Sequence, residues 1–441
     1  MRLSWVCALG MFLVGSGAGA GGASALNAPH TLHHAKAAES HLSEPHRTGS
    51  HRAATAHEAR PAARSTARAG AAHAAPRAAR TGQHARLTTR GAARATARRA
   101  SLATRRHRFS EHFTASSFAN GDIFSEDVTA GEDPVVRQAA IDALDGMNGT
   151  AVVIDPSNGR ILAMVNQKLA LSPGAEPCST IKITVAMAAL SEGLVTRDTP
   201  VQLAGFRMNM TEALAHSNNL YFEELGRELG FERVRHYANQ FGLGELAGYN
   251  IAGEHLGVYP DHELPASEGG VGRMCSFGQG VSLTPLQLGA YVAAIANGGT
   301  LYYLQHPTSP QEAAALSPKV KRTLDIARFV PDLQDGMAGA VEYGTARRLR
   351  ASFTELPVFG KTGTCSDKGT RFGWFASYSD SPQGSLVTVF FLEGGRPTFG
   401  PRAAELTGVF YKNLWDRNYF VPKGQQTAEV LPPASVTETQ P

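Results

Sequence analysis

A serine followed three positions later by a lysine is the first chemistry this chain offers, at Cys178-Ser179-Thr180-Ile181-Lys182. On a helix, residues three apart share a face, so the Lys182 amine stands beside the Ser179 hydroxyl. A serine hydroxyl is a poor nucleophile until a base takes its proton. A lysine can do so when burial and a cationic neighbour favour its neutral form. The loop ahead (Ser172-Pro173-Gly174, Pro177) leads into a helix N-terminus, whose free N–H groups add positive potential around the attacking oxygen. Alone the pair is a weak signal, because an exposed capping serine and an unrelated lysine share the same spacing. Two further groups strengthen it. His216-Ser217-Asn218-Asn219 precedes an apolar-patterned helix (Leu220, Phe222, Leu225, Leu229), where Ser217 or Asn218 would also serve as a plain cap. Lys361-Thr362-Gly363-Thr364 closes a strand opened by Val358-Phe359-Gly360, where a strand-end turn is the ordinary reading. Ser-x-x-Lys, Ser-x-Asn and Lys-Thr-Gly each occur once, in that order, with enough chain between them for three elements to converge on one cleft.

The rest of the pattern predicts the frame that must hold these groups. Order is expected from Pro134. Val135–Leu144 reads as a helix, and Gly149–Asp155 and Arg160–Val165 as two strands around the turn Pro156-Ser157-Asn158-Gly159. Helical patterns follow over Ser179–Glu192, Thr211–Leu229, Glu232–Phe241, Pro285–Asn297 and Val330–Ala340. Strand signals return at Val358–Thr364, Phe372–Tyr378 and Leu386–Leu392, and a last helix covers Arg402–Trp415. Strands, a helical block, more strands and a closing helix predict an α/β chain of α+β type, with one antiparallel sheet carrying helices on its faces. No internal repeat is visible.

The ordered trio is the signature of serine β-lactamases and penicillin-binding proteins, and the chain resembles the penicillin-binding protein transpeptidase family. Thr150 to Met164 looks like that family's opening hairpin. Ser276-Phe-Gly-Gln-Gly280, Leu283-Thr-Pro-Leu-Gln-Leu288 and Ala296-Asn-Gly-Gly299 resemble its Gly-Gln-Gly loop and the helix after it, and Gly344-Thr345-Ala346 and Trp374-Phe375 also fit. The resemblance covers residues 134–418 and implies a β-lactamase/transpeptidase-like fold with an all-helical subdomain beside the sheet. It implies that Ser179 attacks the penultimate D-Ala carbonyl of a D-Ala-D-Ala stem peptide, that Lys182 takes its proton, and that Ser217 relays protons toward the leaving amine. Asn219 would hold the substrate amide. Lys361, Thr362, Gly363 and Thr364 would form the wall for the terminal carboxylate, and the N–H groups of Ser179 and Thr364 would form the oxyanion hole, a device worth about 2.7–4 kcal/mol per donor. Penicillins would acylate the same serine. No cofactor is implied.

Three features depart from that family. A folded region precedes the transpeptidase in its larger members; here a basic arm stands in its place. Cys178 occupies a position that is often Gly, and Cys365 directly follows Lys-Thr-Gly-Thr. In the implied oxyanion hole the two nitrogens lie within about 4–6 Å, and a disulfide needs Cα atoms about 4.4–6.8 Å apart. A Cys178–Cys365 bond is therefore within reach, with Cys275 left free. A pair of small, buried, reduced thiols is the alternative.

Composition narrows the setting. Residues 26–110 hold 16 Lys+Arg, 3 Asp+Glu and 10 of the 16 His, a net charge of +13, whereas residues 111–441 carry −10. A uniformly basic nucleic-acid-binding domain is excluded. The run of residues 26–133 has too little apolar surface to offset its chain entropy and is expected to be a disordered linker, as is the tail 419–441. It reads as a wall-crossing spacer, as an arm for polyanions or a membrane surface, or as a loose His tract. Residues 1–25, with Arg2, an apolar run and Ala23-Ser24-Ala25, read as a cleaved signal peptide or an uncleaved anchor. Export follows, to the periplasm or the cell-wall face of the cytoplasmic membrane. No CxxC or Cys/His spacing suggests a metal. Two readings compete with the transpeptidase. A serine β-lactamase would need a deacylating carboxylate, for which Glu254, Glu263 and Glu268 are available. A non-catalytic β-lactam sensor or wall-binding scaffold would need membrane spans ahead of the domain or the loss of Ser179 or Lys182.

Overall fold

The computed structural model describes residues 112–421. Its first helix, α1 (Pro134–Leu144), begins where the Asp133 carboxylate accepts the Val135 and Val136 N–H groups and Pro134 fills the first turn. The hairpin β1 (Gly149–Asp155) and β2 (Arg160–Val165) follows, as the sequence pattern requires. A short α2 (Gln167–Ala170) and a loop lead to a 3₁₀ turn at Cys178–Thr180, which runs straight into α3 (Ile181–Ser191). A small ribbon, β3 (Val201–Leu203) with β4 (Phe206–Met208), precedes α4 (Met210–Ala215), α5 (Asn219–Leu229), α6 (Phe231–Gln240), α7 (Gly270–Phe277) and α8 (Pro285–Ala296). A second ribbon, β5 (Thr300–Tyr302) with β6 (Val320–Thr323), flanks α9 (Pro310–Ala314), and α10 (Val330–Glu342) returns the chain to the sheet. Three long strands, β7 (Val358–Asp367), β8 (Thr370–Ser381) and β9 (Gly384–Gly394), and a closing helix α11 (Gly400–Asp416) complete it.

Period-2 alternation divides the interior. Val152, Ile154, Trp374 and Val389 point into one core, and their neighbours Ala151, Val153, Phe375 and Phe390 into the other. The sheet between these cores is antiparallel with order β2-β1-β9-β8-β7, so the last motif strand, β7, is an edge. α1 and α11 cover one face through Val136, Ala140, Ala403 and Phe410. The helical block covers the other. α3 is apolar almost all round, and every residue from Ile181 to Leu190 is buried, so it runs through the middle of that block. Full burial of a Leu- or Phe-sized side chain contributes about 1.5–3 kcal/mol. The buried rows on β8 and β9 therefore make the sheet a rigid base for β7. The α+β class expected from the sequence is the class adopted.

Three expectations are corrected. Composition assigns residues 112–133 to the disordered linker, yet they pack on the domain. Ser117 Oγ receives Gly395 N–H (2.8 Å) and the Thr398 hydroxyl (2.9 Å), and Thr114 N–H donates to Gly369 O (2.9 Å). Asp127 receives the N–H groups of Asn166 (2.9 Å) and Gln167 (2.8 Å) and pairs with Arg137 (2.7 Å). Polar side chains satisfying strand-end peptides tie this segment down, a bond type that hydrophobic pattern does not register. At the other end Phe420 is buried, two residues past the expected boundary at 418. The helical pattern over Thr211–Leu229 is also broken. α4 stops at Ala215, Ser217 adopts φ 56, and Asn218 restarts the chain by accepting Tyr221 N–H (3.0 Å). The expected signal or anchor (1–25), most of the linker and residues 422–441 of the tail lie outside the described residues.

The linker carries one prediction. Deleting residues 26–110 is expected to leave unchanged the acylation kinetics that the family resemblance implies, because a segment of that composition has too little apolar surface to pack into a cleft. Extending the deletion through residue 120 removes the Ser117 and Thr114 bonds and should lower Tm by several degrees, read by thermal unfolding. A large rate loss from the shorter deletion would contradict this.

Candidate active site

Ser179 is half-buried in the 3₁₀ turn that feeds α3. The turn is held from several sides. Thr180 donates its hydroxyl (2.7 Å) and its N–H (3.1 Å) to Pro177 O, and Trp374 Nε1–H donates to Glu176 O (3.0 Å). Two motif glycines owe their identity to this loop. A Cβ at Gly278 would fall 2.5 Å from Pro177 Cγ, and one at Gly363 would fall 2.8 Å from Pro177 O. Any side chain at either site would push the nucleophile loop away from β7 or α7. Cys178 and Ser217, both non-glycine, adopt left-handed φ values of 51 and 56. Such geometry costs on the order of 1–2 kcal/mol per residue and persists where surrounding structure imposes it.

The two motif lysines meet around Ser217. Lys182 Nζ lies 2.9 Å from Ser179 Oγ, 3.2 Å from Ser217 Oγ, 3.1 Å from Ser217 O and 2.6 Å from Asn219 Oδ1. Lys361 Nζ donates to Ser217 Oγ (2.8 Å) and to Thr362 O (3.0 Å). Both lysine side chains are fully buried. Burial, with the Lys361 ammonium beside it, holds the Lys182 amine well below its ordinary value, and Glu223 partly opposes this. Burial pushes Lys361 down to about 7. A neutral amine has two N–H donors and one lone pair. Ser217 O and Asn219 Oδ1 are acceptors only, so in the neutral form of Lys182 they would take its two N–H groups. Its lone pair is left for a hydroxyl proton, that of Ser179 or of Ser217.

The lysine burial has a measurable consequence. The Lys361 amine falls from an ordinary 10.5 to about 7 on folding, so across that window the unfolded chain binds the extra proton and stability rises with pH. Below about pH 7 both states are protonated, and the cost of burying the charge is constant. Lys361→Met is expected to remove up to about 1.4 kcal/mol per pH unit of that slope. Thermal unfolding at pH 7 and 9.5 checks it, and an unchanged slope would contradict it.

The structure joins Ser179, Lys182, Ser217, Asn219 and Lys361 in one hydrogen-bonded cluster and revises the placement of two of them. Ser179, Lys182, Ser217 and Asn219 share the bonds just given. Lys361, expected on the open carboxylate wall, lies behind it, because β7 turns its odd-numbered side chains toward the helical block. Thr362 and Thr364 take the other side of the strand. The Thr362 hydroxyl donates to Thr345 Oγ1 (2.7 Å), and Thr364 Oγ1 accepts Gly400 N–H (2.8 Å) from the start of α11. Asn219, expected on the substrate amide, accepts from Lys182 through its Oδ1. Sequence reasoning missed Gly400 and gave Thr345 no role. A Cβ at Gly400 would lie 2.7 Å from Gly363 O, so that glycine lets α11 reach the strand. The Cys178–Cys365 bond is formed, with Cα atoms 5.6 Å apart, and Cys275 is free and buried. Glu254 is committed to Ala247 N–H (2.8 Å) and Gly248 N–H (3.0 Å), while Glu263 and Glu268 are exposed. A cavity of about 920 Å³ opens elsewhere, between Asp122, Gln167, Gly174 and Glu393, and none of the motif residues lines it. Among the described residues no cluster of three His, Cys, Asp or Glu could hold a metal ion.

An antiparallel sheet backed by two helices, with a serine-bearing helix buried in a helical block against the edge strand, defines the class of α+β domains that house this motif trio. Within it, residues 149–406 match the family model described as the penicillin binding protein transpeptidase domain, and the chain belongs to that family. Stage V sporulation protein D of Bacillus subtilis is 31% identical over 318 residues, 60% of this chain and 48% of that protein. Peptidoglycan D,D-transpeptidase MrdA of Acinetobacter baumannii is 25% identical over 384 residues, 67% of this chain and 56% of that protein. The chain thus spans about half the length of these curated relatives. Among solved structures, Pseudomonas aeruginosa PBP2 in complex with WCK 5153 aligns with a TM-score of 0.56 at 22% identity, over 69% of this chain and 81% of that one. The transpeptidase domain of Burkholderia pseudomallei penicillin-binding protein 3 gives 0.56 at 19%, over 66% and 96%. At such identities the likeness is one of fold.

Proposed function

We propose that the chain is an exported D,D-transpeptidase that works through a Ser179 acyl-enzyme on D-Ala-D-Ala peptidoglycan stem peptides and is acylated by penicillins. One observation carries this reading: the buried Lys182 amine, held well below its ordinary pKa by burial and by Lys361, lies 2.9 Å from Ser179 Oγ and 3.2 Å from Ser217 Oγ. Ser179 Oγ bonds to the penultimate D-Ala carbonyl carbon as its proton passes to Lys182. The oxyanion faces the N–H groups of Ser179 and Thr364. The C–N bond then breaks, and the departing D-Ala amine takes a proton from the Ser217 hydroxyl, which both lysines can resupply. The Thr364 hydroxyl, which only accepts from Gly400 N–H and keeps its proton, and the Thr362 hydroxyl, once turned from Thr345, receive the terminal carboxylate, with the Lys361 charge behind them. An acceptor amine or water releases the acyl group from Ser179. The names of the relatives, among them peptidoglycan D,D-transpeptidases, agree with this assignment. The basic linker suits contact with wall polyanions or an anionic membrane surface; no described helix is long and apolar enough to cross a membrane.

Intact-mass measurement after incubation with benzylpenicillin tests the reading: a single penicilloyl adduct on Ser179 is expected, and no adduct would overturn it. Nitrocefin separates it from a β-lactamase. With Glu254 tied to a turn and Glu263 and Glu268 exposed, no deacylating carboxylate is assigned. One stoichiometric burst is therefore expected rather than turnover.

A further inference from the structure

Two cysteines bracket the site, and the mechanism above gives neither a role. Cys178 immediately precedes Ser179, and Cys365 immediately follows Thr364. Their disulfide spans 187 residues of sequence and joins the turn that carries the nucleophile to the strand expected to hold the substrate. That strand, β7, is paired with β8 on one side only, and beyond Cys365 it ends in exposed Asp367 and Lys368. Non-covalent ties between loop and sheet include the Trp374–Glu176 hydrogen bond and the packing of Gly363 against Pro177 and Thr180.

We propose that the Cys178–Cys365 disulfide is a positioning clamp that sets the separation of the Ser179 and Thr364 N–H groups, and that its reduction slows acylation. The inference rests on the acyl-enzyme reading above. Consecutive Cα atoms lie about 3.8 Å apart, so each cysteine is a single peptide unit from an oxyanion donor. Movement of either cysteine is passed to that donor almost undiminished. The backbone at Cys178 points the same way. Its φ of 51 is a conformation that glycine adopts freely and an L-residue does not. A side chain at that position works against the local backbone, and here it forms the one covalent link between the two halves of the hole.

The clamp can be opened chemically. Cys178 is fully buried, whereas Cys365 is only half-buried and lies near the outer end of an edge strand. A dithiol of the thioredoxin type would attack Cys365 Sγ through its thiolate, breaking the S–S bond and expelling Cys178 as a thiolate that then takes a proton. The second thiol of the reductant displaces Cys365, which leaves as a thiol. Two electrons and two protons pass to the protein, and the dithiol ends as a disulfide.

The test is the rate of acylation of the full chain by fluorescent penicillin before reduction, after dithiothreitol, and after reoxidation, with new thiols counted by alkylation. Misplacing a reacting group by about 1 Å can cost about 10²-fold. Reduction exposing two new thiols is expected to slow the acylation step about 10–10²-fold with little change in penicillin Kd, and reoxidation should restore it. Cys365→Ser should show the slow rate and ignore dithiothreitol. Cys178→Gly, which suits the left-handed φ, should do the same with a near-native Tm. A rate unchanged by full reduction would overturn the clamp. So would a loss confined to Kd, or one explained by a lower folded fraction. Absence of Ser179 labelling in both redox states would instead overturn the acyl-enzyme reading on which the clamp rests.

Discussion

Ser179→Ala is expected to leave no penicilloyl adduct at all, on any residue, while the protein melts within a few degrees of the parent. The argument is geometric. Ser217 is the only other hydroxyl within reach of Lys182 among the described contacts, yet its Oγ is fixed by Lys361 at 2.8 Å and lies 3.2 Å from Lys182. It is placed to pass protons rather than to replace the nucleophile at the start of α3. Ser179 is half-buried and contributes one hydrogen bond, to Lys182, so truncation removes a net 0.5–1.5 kcal/mol at about the usual scale for such a bond. Fluorescent penicillin labelling on a gel, followed by intact mass, reads the result. An adduct that survives in the variant would remove Ser179 from its role.

Lys182→Met is expected to slow acylation about 10²–10⁴-fold, the range typical of a lost general base, without lowering Tm. The side chain is fully buried and its amine is held well below its ordinary pKa by burial, with Lys361 adding to the effect. A methionine of similar length fills the same space without a buried amine to desolvate. Raising the pH should not rescue the variant, because the missing group is the base itself. In the parent the rate should rise with pH as Lys182 loses its proton, and then level off. A variant with near-native rates would show that Ser217 or Lys361 can take the Ser179 proton unaided. A variant that unfolds would show that the amine is structural.

The sequence by itself determined the parts. Three motifs in order singled out Ser179, Lys182 and the strand β7, and hydrophobic period placed the hairpin, α8 and the last three strands within a few residues. Both kinds of information are local, written in spacings of three or four residues on a helix and of two on a strand. It also put Cys178 and Cys365 next to Ser179 and Thr364, the oxyanion donors that the family resemblance implies, close enough to raise a disulfide but not to decide it.

Tertiary structure decided the rest. Residues 112–133 carry almost no apolar pattern, and they are held by side chains on strand-end peptides that are distant in sequence. Only the folded sheet creates those partners. The break in the helix at Ser217 depends on a left-handed residue that propensity does not demand; it survives because the Lys182 and Lys361 amines and the Asn218 cap fix it. Lys361 could be read as a surface charge until β7 turned its odd-numbered side chains into the helical block. Spacing along the chain says which side chains share a face. It does not say which face will be buried, and burial is what lowers the amines of both motif lysines.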